Sequence, residues 1–210
     1  MSTTQTDALD RLGPRWLIAS SEEPFDGGQV FGRFAPLILE VGSGMGTSTV
    51  AQAAAEPDSD VLAVDVHTPG IGNLLALAER EGLTNVRAIH GDAVEVIEGM
   101  IRPGSLSGVR IYFPDPWPKV RHHNRRLVQR EFVDLLVARL RPGAFIHCAT
   151  DVPDYAEQMV SVLGSHPELE NPFAGFAPRP ADRPITKFEA RAIAAGHRIA
   201  DVWVTRRLDL

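Results

Sequence analysis

Short apolar runs alternate with helical patterns along most of the chain. The apolar runs cover residues 37–41, 61–66, 86–89, 109–113 and 144–149. They are almost continuously apolar, which is typical of strands that are buried on both faces of a sheet. Between and after them, apolar residues recur at helical spacing around residues 50–55, 74–81, 93–99, 127–140 and 155–163. Strict alternation of strands and helices predicts an α/β fold, with a mostly parallel sheet and helices on both of its faces.

The N-terminal part of the chain departs from this rhythm. Residues 1–8 are polar and are predicted to be disordered, and residues 9–20 have the pattern of a short amphipathic helix. Residues 20–32 are rich in glycine and predict a loop. We therefore expect a partly disordered N-terminal extension over residues 1–32, followed by one domain over residues 33–210.

The C-terminal part also differs from the alternating region. Five prolines lie between residues 167 and 184, which predicts a long irregular segment. Residues 185–195 then have the pattern of a helix, and residues 197–206 that of a final strand.

The composition is that of an ordinary globular domain, with 44% apolar and 23% charged residues. The apolar runs are all far shorter than the roughly 20 residues of a transmembrane helix, and the first residues lack the features of a signal peptide. The single cysteine, Cys148, excludes an internal disulfide and a cysteine-based metal site. We expect a cytoplasmic protein without a membrane or metal requirement. The net charge of −6 leaves room for nucleic acid only where cations cluster.

A glycine-rich turn follows the first apolar run. Residues 40–47 read Glu-Val-Gly-Ser-Gly-Met-Gly-Thr. Alternating glycines let the backbone turn sharply into a helix and approach a ligand closely. In a dinucleotide-binding turn the third glycine comes three residues after the second, whereas Gly46 comes two residues after Gly44. The spacing therefore argues against a pyrophosphate site.

Three carboxylates lie at or just after the ends of three consecutive apolar runs. These are Glu40, Asp65 and Asp92. The carboxyl ends of parallel strands meet at the edge where α/β sheets bind ligands, and an acid in the position of Asp65 commonly binds ribose. The set favours a positively charged ligand that contains adenosine, such as S-adenosylmethionine. The structural alternative is that Asp65 and Asp92 cap the helices that follow them.

A stiff loop follows the apolar run at residues 109–113. Pro114, Pro116 and Pro118 alternate with Asp115 and Trp117, and they exclude both helix and central strand. The next residues supply five cations with no acid between them: Lys119, Arg121, Arg125, Arg126 and Arg130. A rigid carboxylate beside a cationic segment indicates binding of an anionic substrate. The alternative is a proline-rich connection followed by a solvated basic helix.

Two long motifs resemble known families. Glu40-x-Gly42-x-Gly44-x-Gly46 resembles the cofactor motif of class I methyltransferases. Residues 113–126, Phe-Pro-Asp-Pro-Trp-Pro-Lys-Val-Arg-His-His-Asn-Arg-Arg, together with Thr-Lys-Phe-Glu at residues 186–189, resemble the bacterial tRNA (guanine-N7-)-methyltransferases. The resemblance implies a Rossmann-like class I methyltransferase fold with a mostly parallel, seven-stranded sheet.

The same resemblance implies an activity and its participants. The reaction would be methylation of N7 of a variable-loop guanine in tRNA, with S-adenosylmethionine as donor and S-adenosylhomocysteine as product. The implied macromolecular partner is tRNA, and we expect no obligatory protein partner. Transfer to N7 requires no general base, because that nitrogen carries a lone pair and no proton.

The resemblance also assigns roles to individual residues. Cofactor contacts are implied for Glu40, Gly42, Gly44, Asp65, Asp92 and Asp115, and Asp115 is also the implied catalytic residue. Substrate contacts are implied for Lys119, Asp151, Thr186, Lys187, Phe188 and Glu189. RNA contacts are implied for Arg121, His122, His123, Asn124, Arg125 and Arg126.

One position and one segment depart from the family pattern. The second motif usually carries an arginine where this chain has Thr68, so that one cation near the cofactor is missing. The segment before Glu40 lacks a basic arm and carries Glu22, Glu23 and Asp26 instead.

Several residues have a structural interpretation as well. Trp117 can anchor the loop in the core or stack on a base. Thr186 and Glu189 have the spacing of a capping box at a helix start. His90, His147 and Cys148 lie on buried-type strands, and we expect them in the core.

Three other functions compete with the methyltransferase assignment. An NAD-dependent oxidoreductase is disfavoured by Glu40 and by the glycine spacing. A non-catalytic RNA-binding module would not need the acids at the strand ends. An exocyclic-amine or glutamine N-methyltransferase would carry Asn or Asp followed by two prolines and an aromatic residue, whereas Trp117 follows a single proline after Asp115.

Overall fold

The computed structural model of the protein describes residues 3–21, 23–181 and 183–208. The chain divides into two compact units. The first comprises Met1–Arg102 and Asp182–Pro184, and the second comprises Pro103–Ala181 and Ile185–Leu210. Within the described residues, every helix is too short or too polar to be a transmembrane span.

The first unit contains four parallel strands in the order β1-β4-β3-β2. These strands are β1 (Leu17–Ile18), β2 (Leu37–Val41), β3 (Asp60–Asp65) and β4 (Val86–His90). The helices of this unit are α1 (Thr3–Trp16), α2 (Gly27–Phe31), α3 (Thr47–Ala55), α4 (Thr68–Arg80) and α5 (Ala93–Gly99). The strands and helices predicted from residue 37 onward in this unit are confirmed, with boundaries that differ by up to six residues. The loop predicted for residues 20–32 is wrong in part, because it contains α2.

Helices cover both faces of the strands in the first unit. On one face, Val61 and Ala63 of β3 join a buried apolar cluster with residues of α1, α3 and α4. The intervening residues, Leu62 and Val64, are also fully buried, and α5 contacts β3. Because neighbouring strand residues point to opposite faces, burial of all four explains the continuously apolar run.

The N-terminal helix begins earlier than predicted. Helix α1 covers Thr3–Trp16 and packs on α4 through Ala8, Leu12 and Trp16. Both terminal nitrogens of Arg11 donate hydrogen bonds to Glu79, at 2.5 and 2.7 Å. The disorder expected for residues 1–8 is therefore wrong from Thr3 onward, because Ala8 belongs to the core; residues 1 and 2 lie outside the described residues. The division into an extension and a domain at residues 32 and 33 stays a prediction.

The second unit contains four strands in the order β5-β6-β8-β7. These strands are β5 (Leu106–Tyr112), β6 (Leu140–Thr150), β7 (Leu169–Glu170) and β8 (Ala200–Arg206). Strands β5 and β6 are parallel, whereas β8 is antiparallel to both β6 and β7. The helices are α6 (Arg130–Arg139), α7 (Pro153–Gly164) and α8 (Lys187–Ala194), and residues Val120–Arg125 form a 3-10 helix.

The α/β class and the mostly parallel strands are confirmed, but the described residues form eight strands instead of seven. Strands β1 and β7 contain two residues each. Such short strands leave no periodic pattern that a sequence can reveal. The basic segment after the proline-rich loop is a 3-10 helix, and the α-helix expected from residue 127 begins at Arg130.

A buried polar network links the central strands of the second unit. His147 on β6 is 1% exposed, and its Nε2 lies 2.7 Å from Oδ1 of Asp201 on β8. Its Nδ1 lies 2.9 Å from the Tyr112 hydroxyl on β5. The core position predicted for His147 is confirmed. The same prediction for His90 is wrong, because His90 ends β4 and is exposed, with its Nε2 near the Val66 carbonyl.

The buried cysteine supplies a direct test of this packing. Cys148 is fully buried on β6, and burial raises the pKa of its thiol to about 12. Because the thiolate is the reactive form, we expect iodoacetamide at about pH 8 to leave the native protein unmodified. The denatured protein should gain one label per chain, measured by intact-mass spectrometry. Rapid labelling of the native protein would contradict the buried position.

Candidate active site

The glycine-rich turn after β2 is built from left-handed backbone conformations. Gly42, Gly44 and Gly46 have φ values of 78°, 55° and 73°, which residues with a Cβ rarely adopt. A Cβ on Gly42 or Gly44 would meet no described atom within 4 Å, so open space lies over both. A Cβ on Gly46 would lie 2.6 Å from the Cβ of Leu74. Gly46 thus permits packing on α4, whereas Gly42 and Gly44 leave room for a ligand.

Asp65 holds the glycine-rich turn in place. Its Oδ2 accepts a hydrogen bond from Gly44 N at 2.6 Å, and its Oδ1 accepts one from His67 N at 2.7 Å. Each carboxylate oxygen has a second lone pair, so the group can still bind a ribose hydroxyl. Asp65 therefore organises the turn and remains suited to the ligand contact predicted for it.

The other two acids have different surroundings. Glu40 is buried near the end of β2, at 2% exposure. Asp92 is exposed and caps α5, because its Oδ1 accepts from Val94 N at 2.8 Å and from Glu95 N at 3.4 Å. The helix-capping alternative thus holds for Asp92. Its cofactor contact stays a prediction, as does that of Glu40.

The first turn of α4 approaches the glycine-rich turn unusually closely. A Cβ on Gly70 would lie 1.9 Å from the Gly44 carbonyl oxygen, which is far inside contact distance. Nearby, Thr68 Oγ1 lies 3.0 Å from His90 Nε2, so the residue that replaces the usual arginine contacts a histidine. The role of Gly70 was missed by sequence analysis, because the approach joins residues that are distant in the chain.

These features fit the cofactor that the sequence implies. The space over Gly42 and Gly44 would be filled by any side chain there, and the nearby carboxylates favour a ligand with positive charge. Exposed Val66, next to Asp65, offers an apolar surface for a base. Among the described residues, no group of three His, Cys, Asp or Glu side chains could hold a metal ion.

The proline-rich loop of the second unit carries backbone strain. Phe113 and Trp117 have φ values of 52° and 43°, and neither is a glycine. Left-handed conformations of such residues persist only where surrounding contacts hold them, and they cluster at functional sites. Phe113 is held by a hydrogen bond from its N–H to the Ala149 carbonyl at 2.7 Å. Asp115 lies between the two strained residues and is exposed.

A cavity of about 400 Å³ lies beside this loop. Of the predicted site residues, Asp115, Asp151 and Phe188 line it. Sequence analysis missed the remaining lining residues, which are Phe113, Pro114, Pro116, Arg191, Ala192, Ala195 and His197. His197 Nδ1 lies 3.2 Å from Asp151 Oδ2, so it pairs with a predicted substrate contact. Sequence analysis could have found Arg191 through the motif at residues 186–189, because that motif predicts the start of the helix on which Arg191 lies.

Residues 186–189 start helix α8 and divide into two roles. Thr186 is the helix N-cap, and its side chain accepts a hydrogen bond from Glu189 N at 3.0 Å. Glu189 is fully buried, and Arg179 Nε donates to it at 2.8 Å. Lys187 is exposed, and the ring of Phe188 is 61% exposed at the cavity. The geometry supports a substrate contact for Phe188, whereas Glu189 is held in an ion pair below the surface and its substrate contact stays a prediction.

The cationic segment exposes most of its predicted RNA contacts. Lys119, Arg121, Asn124 and Arg125 are exposed, and His122 and His123 are half-buried. The Trp117 ring packs against His122 at 6.0 Å between ring centroids, and the Arg125 guanidinium lies 5.0 Å from its centroid. Trp117 therefore anchors the loop against the segment that follows it.

Arg126 differs from its neighbours and requires a correction. It is only 3% exposed, although sequence analysis placed it among the RNA contacts. Its guanidinium bonds to the backbone of the proline-rich loop and to side chains of α7, and it lies 4.7 Å from the Tyr155 ring centroid. Burial raises the pKa of Tyr155 to about 12, so the cation packs on a neutral phenol. A side chain with these contacts is not available to a phosphate.

Comparison with known proteins places the chain among methyltransferases. Residues 34–202 match the family described as "Putative methyltransferase". The tRNA (guanine-N(7)-)-methyltransferase of Paraburkholderia xenovorans (strain LB400) is 53% identical over 207 residues, which are 99% of this chain and 80% of that protein. The protein of the same name from Streptomyces avermitilis is 52% identical over 96% of this chain and 70% of its own length.

Solved structures agree on the fold. The 16S rRNA methyltransferase KamB superposes with a TM-score of 0.59 at 15% identity, covering 87% of this chain and 94% of its own. TrmN from Thermus thermophilus gives a TM-score of 0.57 at 16% identity, covering 97% of this chain and 48% of its own. These likenesses confirm the methyltransferase fold class predicted from sequence.

Proposed function

The chain belongs to the tRNA (guanine-N7-)-methyltransferase family, and on that premise we propose that it methylates N7 of a guanine in the variable loop of tRNA. The methyl donor is S-adenosylmethionine, and S-adenosylhomocysteine is the product. The observation that carries the proposal is that Asp115, Asp151 and Phe188, from three separated parts of the sequence, line one cavity. An aromatic ring and two carboxylates are suited to recognising a guanine base.

Methyl transfer to guanine N7 requires the enzyme mainly to align the base with the methyl group and to stabilise positive charge. Guanine N7 presents an in-plane lone pair and has no proton to remove, so the site needs no general base. The bound cofactor supplies an electrophilic methyl group on a positively charged sulfur. Alignment of the reacting groups can by itself lower a barrier by several kcal/mol. The residues of this chain therefore act by orienting the base and by stabilising positive charge.

Asp115 is the proposed catalytic residue. Its carboxylate can accept hydrogen bonds from guanine N1–H and N2–H, a pair of donors that adenine lacks. As N7 gains a substituent, the purine ring becomes positive, and a nearby carboxylate stabilises that charge. Phe188 offers its exposed ring face for stacking, and Asp151 adds a second acceptor whose position is held by His197.

The cofactor is proposed to bind at the edge of the first unit. Asp65 is placed to accept the ribose hydroxyls, and Glu40 and Asp92 supply negative charge for the cationic groups. Gly42 and Gly44 leave space for the ligand because both lack a side chain. We also assign Asp115 a cofactor contact, on the family motif alone.

The exposed cations after Asp115 are proposed to hold the tRNA backbone. Lys119, Arg121 and Arg125 present charge to phosphates, and His122, His123 and Asn124 extend the same surface. Lys187 is proposed as a further substrate contact beside Phe188, and Thr186 contributes by capping their helix. We place the reaction in the cytoplasm and invoke no obligatory protein partner.

The salt dependence of tRNA binding tests this surface. Each phosphate contact releases counterions, so affinity should fall steeply between about 50 and 200 mM salt. Replacing Arg125 with alanine should reduce the slope of log affinity against log salt by about one unit. Arg80→Ala is the control, because Arg80 ends α4 of the first unit as an exposed cation that pairs with Glu81. A slope in Arg125→Ala equal to that of the unmodified protein would contradict the assignment.

One assay separates the proposed function from its competitors. Unmodified tRNA is incubated with radiolabelled S-adenosylmethionine and then cleaved chemically at N7-methylguanine. We expect label in the tRNA and cleavage in the variable loop. Label without cleavage would indicate an exocyclic amine as acceptor, and tRNA binding without label would indicate a non-catalytic module. A separate binding measurement compares NADH with S-adenosylhomocysteine. Tight binding of NADH alone would indicate an oxidoreductase.

A further inference from the structure

One arginine of the cationic segment, Arg126, is buried inside the protein. The Arg126 side chain is 1% exposed, although the residues directly before it are exposed. Its Nε donates to the Pro116 carbonyl at 2.9 Å. Its Nη1 donates to Gln158 Oε1 at 2.8 Å, and its Nη2 donates to Asp154 Oδ2 at 2.6 Å. All three nitrogens of the guanidinium therefore have protein partners.

These contacts tie the proline-rich loop to helix α7. Pro116 directly follows Asp115, so the bond to its carbonyl fixes the backbone beside the proposed catalytic carboxylate. The loop needs such support, because Phe113 and Trp117 on either side of Asp115 hold left-handed conformations. Rotation about the Pro116 backbone would carry Asp115 away from the cavity that it lines.

The partners of Arg126 on α7 are themselves fixed. Gln158 Nε2 donates to the Val128 carbonyl at 3.1 Å, which leaves its Oε1 facing the guanidinium. Asp154 lies in the first turn of α7, where the helix dipole favours negative charge. The hydrogen bond from Arg126 lowers the pKa of the Asp154 carboxyl, so this partner stays ionised at neutral pH.

We propose that Arg126 is a positioning residue, which holds Asp115 in the cavity through the Pro116 carbonyl and makes no contact with RNA. The inference rests on the proposed function for its catalytic consequence. Arginine suits the task because its planar fork reaches three acceptors in two directions at once. Lysine carries the same charge on a single nitrogen and cannot form all three bonds.

The proposal makes the charge-conserving variant Arg126→Lys the decisive one. A displacement of about 1 Å at the reacting groups lowers turnover on the order of a hundredfold. We therefore expect a loss of that size in kcat, with little change in the KM for tRNA. The salt slope of tRNA binding should equal that of the unmodified protein, in contrast to Arg125→Ala. A slope reduced by about one unit would show a phosphate contact and overturn the proposal, as would an unchanged kcat.

A second variant covers the case in which Arg126→Lys fails to fold. Asp154 is exposed, so Asp154→Asn weakens one bond to Arg126 without burying a new group. It should lower kcat several-fold and lower the melting temperature slightly, because a charge that the helix dipole and Arg126 stabilise is lost, and it should leave the salt slope unchanged. Full kcat in a folded Asp154→Asn protein would contradict the positioning role. The matched control is Glu157→Gln, which removes an exposed carboxylate of the same helix and should leave all three quantities unchanged.

Limited proteolysis gives a readout that does not depend on activity. Trypsin cleaves after lysine and arginine, and Lys119, Arg121 and Arg125 lie in the segment that Arg126 holds. We expect cleavage there to be several-fold faster in Arg126→Lys and Asp154→Asn than in the unmodified protein or in Glu157→Gln. The two variants could be cleaved faster while the protein without substitutions methylates no tRNA. That result would support the contact between Arg126 and the loop but reject the proposed function. Unchanged cleavage in both variants would reject the tie itself.

Discussion

Replacing Asp115 with alanine is expected to lower kcat for tRNA methylation by roughly a hundred- to a thousandfold, the usual cost of removing one electrostatic stabilising group from an active site. Positive charge develops on the guanine ring during methyl transfer, and Asp115 is the carboxylate that the rigid loop presents to the cavity. Binding of tRNA should change much less. Its free energy is dominated by phosphate contacts along the backbone, which Asp115 does not make.

The Asp115 experiment compares chemistry with binding. Single-turnover methylation with excess enzyme gives the rate of the chemical step, and filter binding gives the tRNA affinity. Asp115→Asn separates shape from charge, since it keeps one acceptor oxygen and loses the carboxylate. It should remain nearly as slow as Asp115→Ala. Asp58→Ala, which removes an exposed carboxylate of the first unit, is the control. Equal losses of rate and affinity in Asp115→Ala would contradict a catalytic role.

Replacing Gly70 with alanine is expected to weaken cofactor binding and to destabilise the protein. The added methyl group would lie 1.9 Å from the Gly44 carbonyl oxygen, so either α4 or the glycine-rich turn must move. Overpacking of this kind costs about 1–3 kcal/mol. Movement of Gly44 also stretches the hydrogen bond from its N–H to Asp65, and it thereby disturbs two proposed cofactor contacts.

The Gly70 experiment uses binding of S-adenosylhomocysteine as its measure. Calorimetry should show affinity reduced by at least about tenfold, which corresponds to 1.4 kcal/mol, and thermal unfolding should begin at a lower temperature. Gly99→Ala is the matched control. Gly99 also lies in a helix of the first unit, and a Cβ there would be at an ordinary 3.6 Å from its nearest described neighbour. Normal affinity and stability in Gly70→Ala would show that the turn accommodates the methyl group.

Much of the fold could be predicted because its signals are local. Most strands from residue 37 onward contain a mainly apolar run, and glycine or proline follows several of these runs closely. The acids that end β2, β3 and the turn after β4 follow from the same pattern, since parallel strands bring their carboxyl ends to one edge. The motif around Asp115 is equally local, because three prolines restrict the backbone whatever surrounds them.

The predictions that were wrong share one cause, which is tertiary packing. His90 lies on a buried-type strand but is exposed, because the strand ends at that residue. Helix α1 begins at Thr3 because a distant helix, α4, covers its apolar side. The polar residues at positions 121–126 look alike in sequence, and five of the six are compatible with a surface role, Arg126 being the exception. In each case the outcome depends on what packs against the residue.

Periodicity, turn chemistry and motif spacing are properties of neighbouring residues, so the α/β methyltransferase class and the carboxylate on a rigid loop could be inferred from the sequence alone. The folded chain was needed to show that Arg126 faces inward to Asp154 and Gln158, while Arg125 is exposed. It likewise brought Arg191 and His197 to the cavity of Asp115. The side-chain hydrogen bonds of Arg126 reach residues 28 and 32 positions away, and their strength depends on atomic distances that no local pattern encodes.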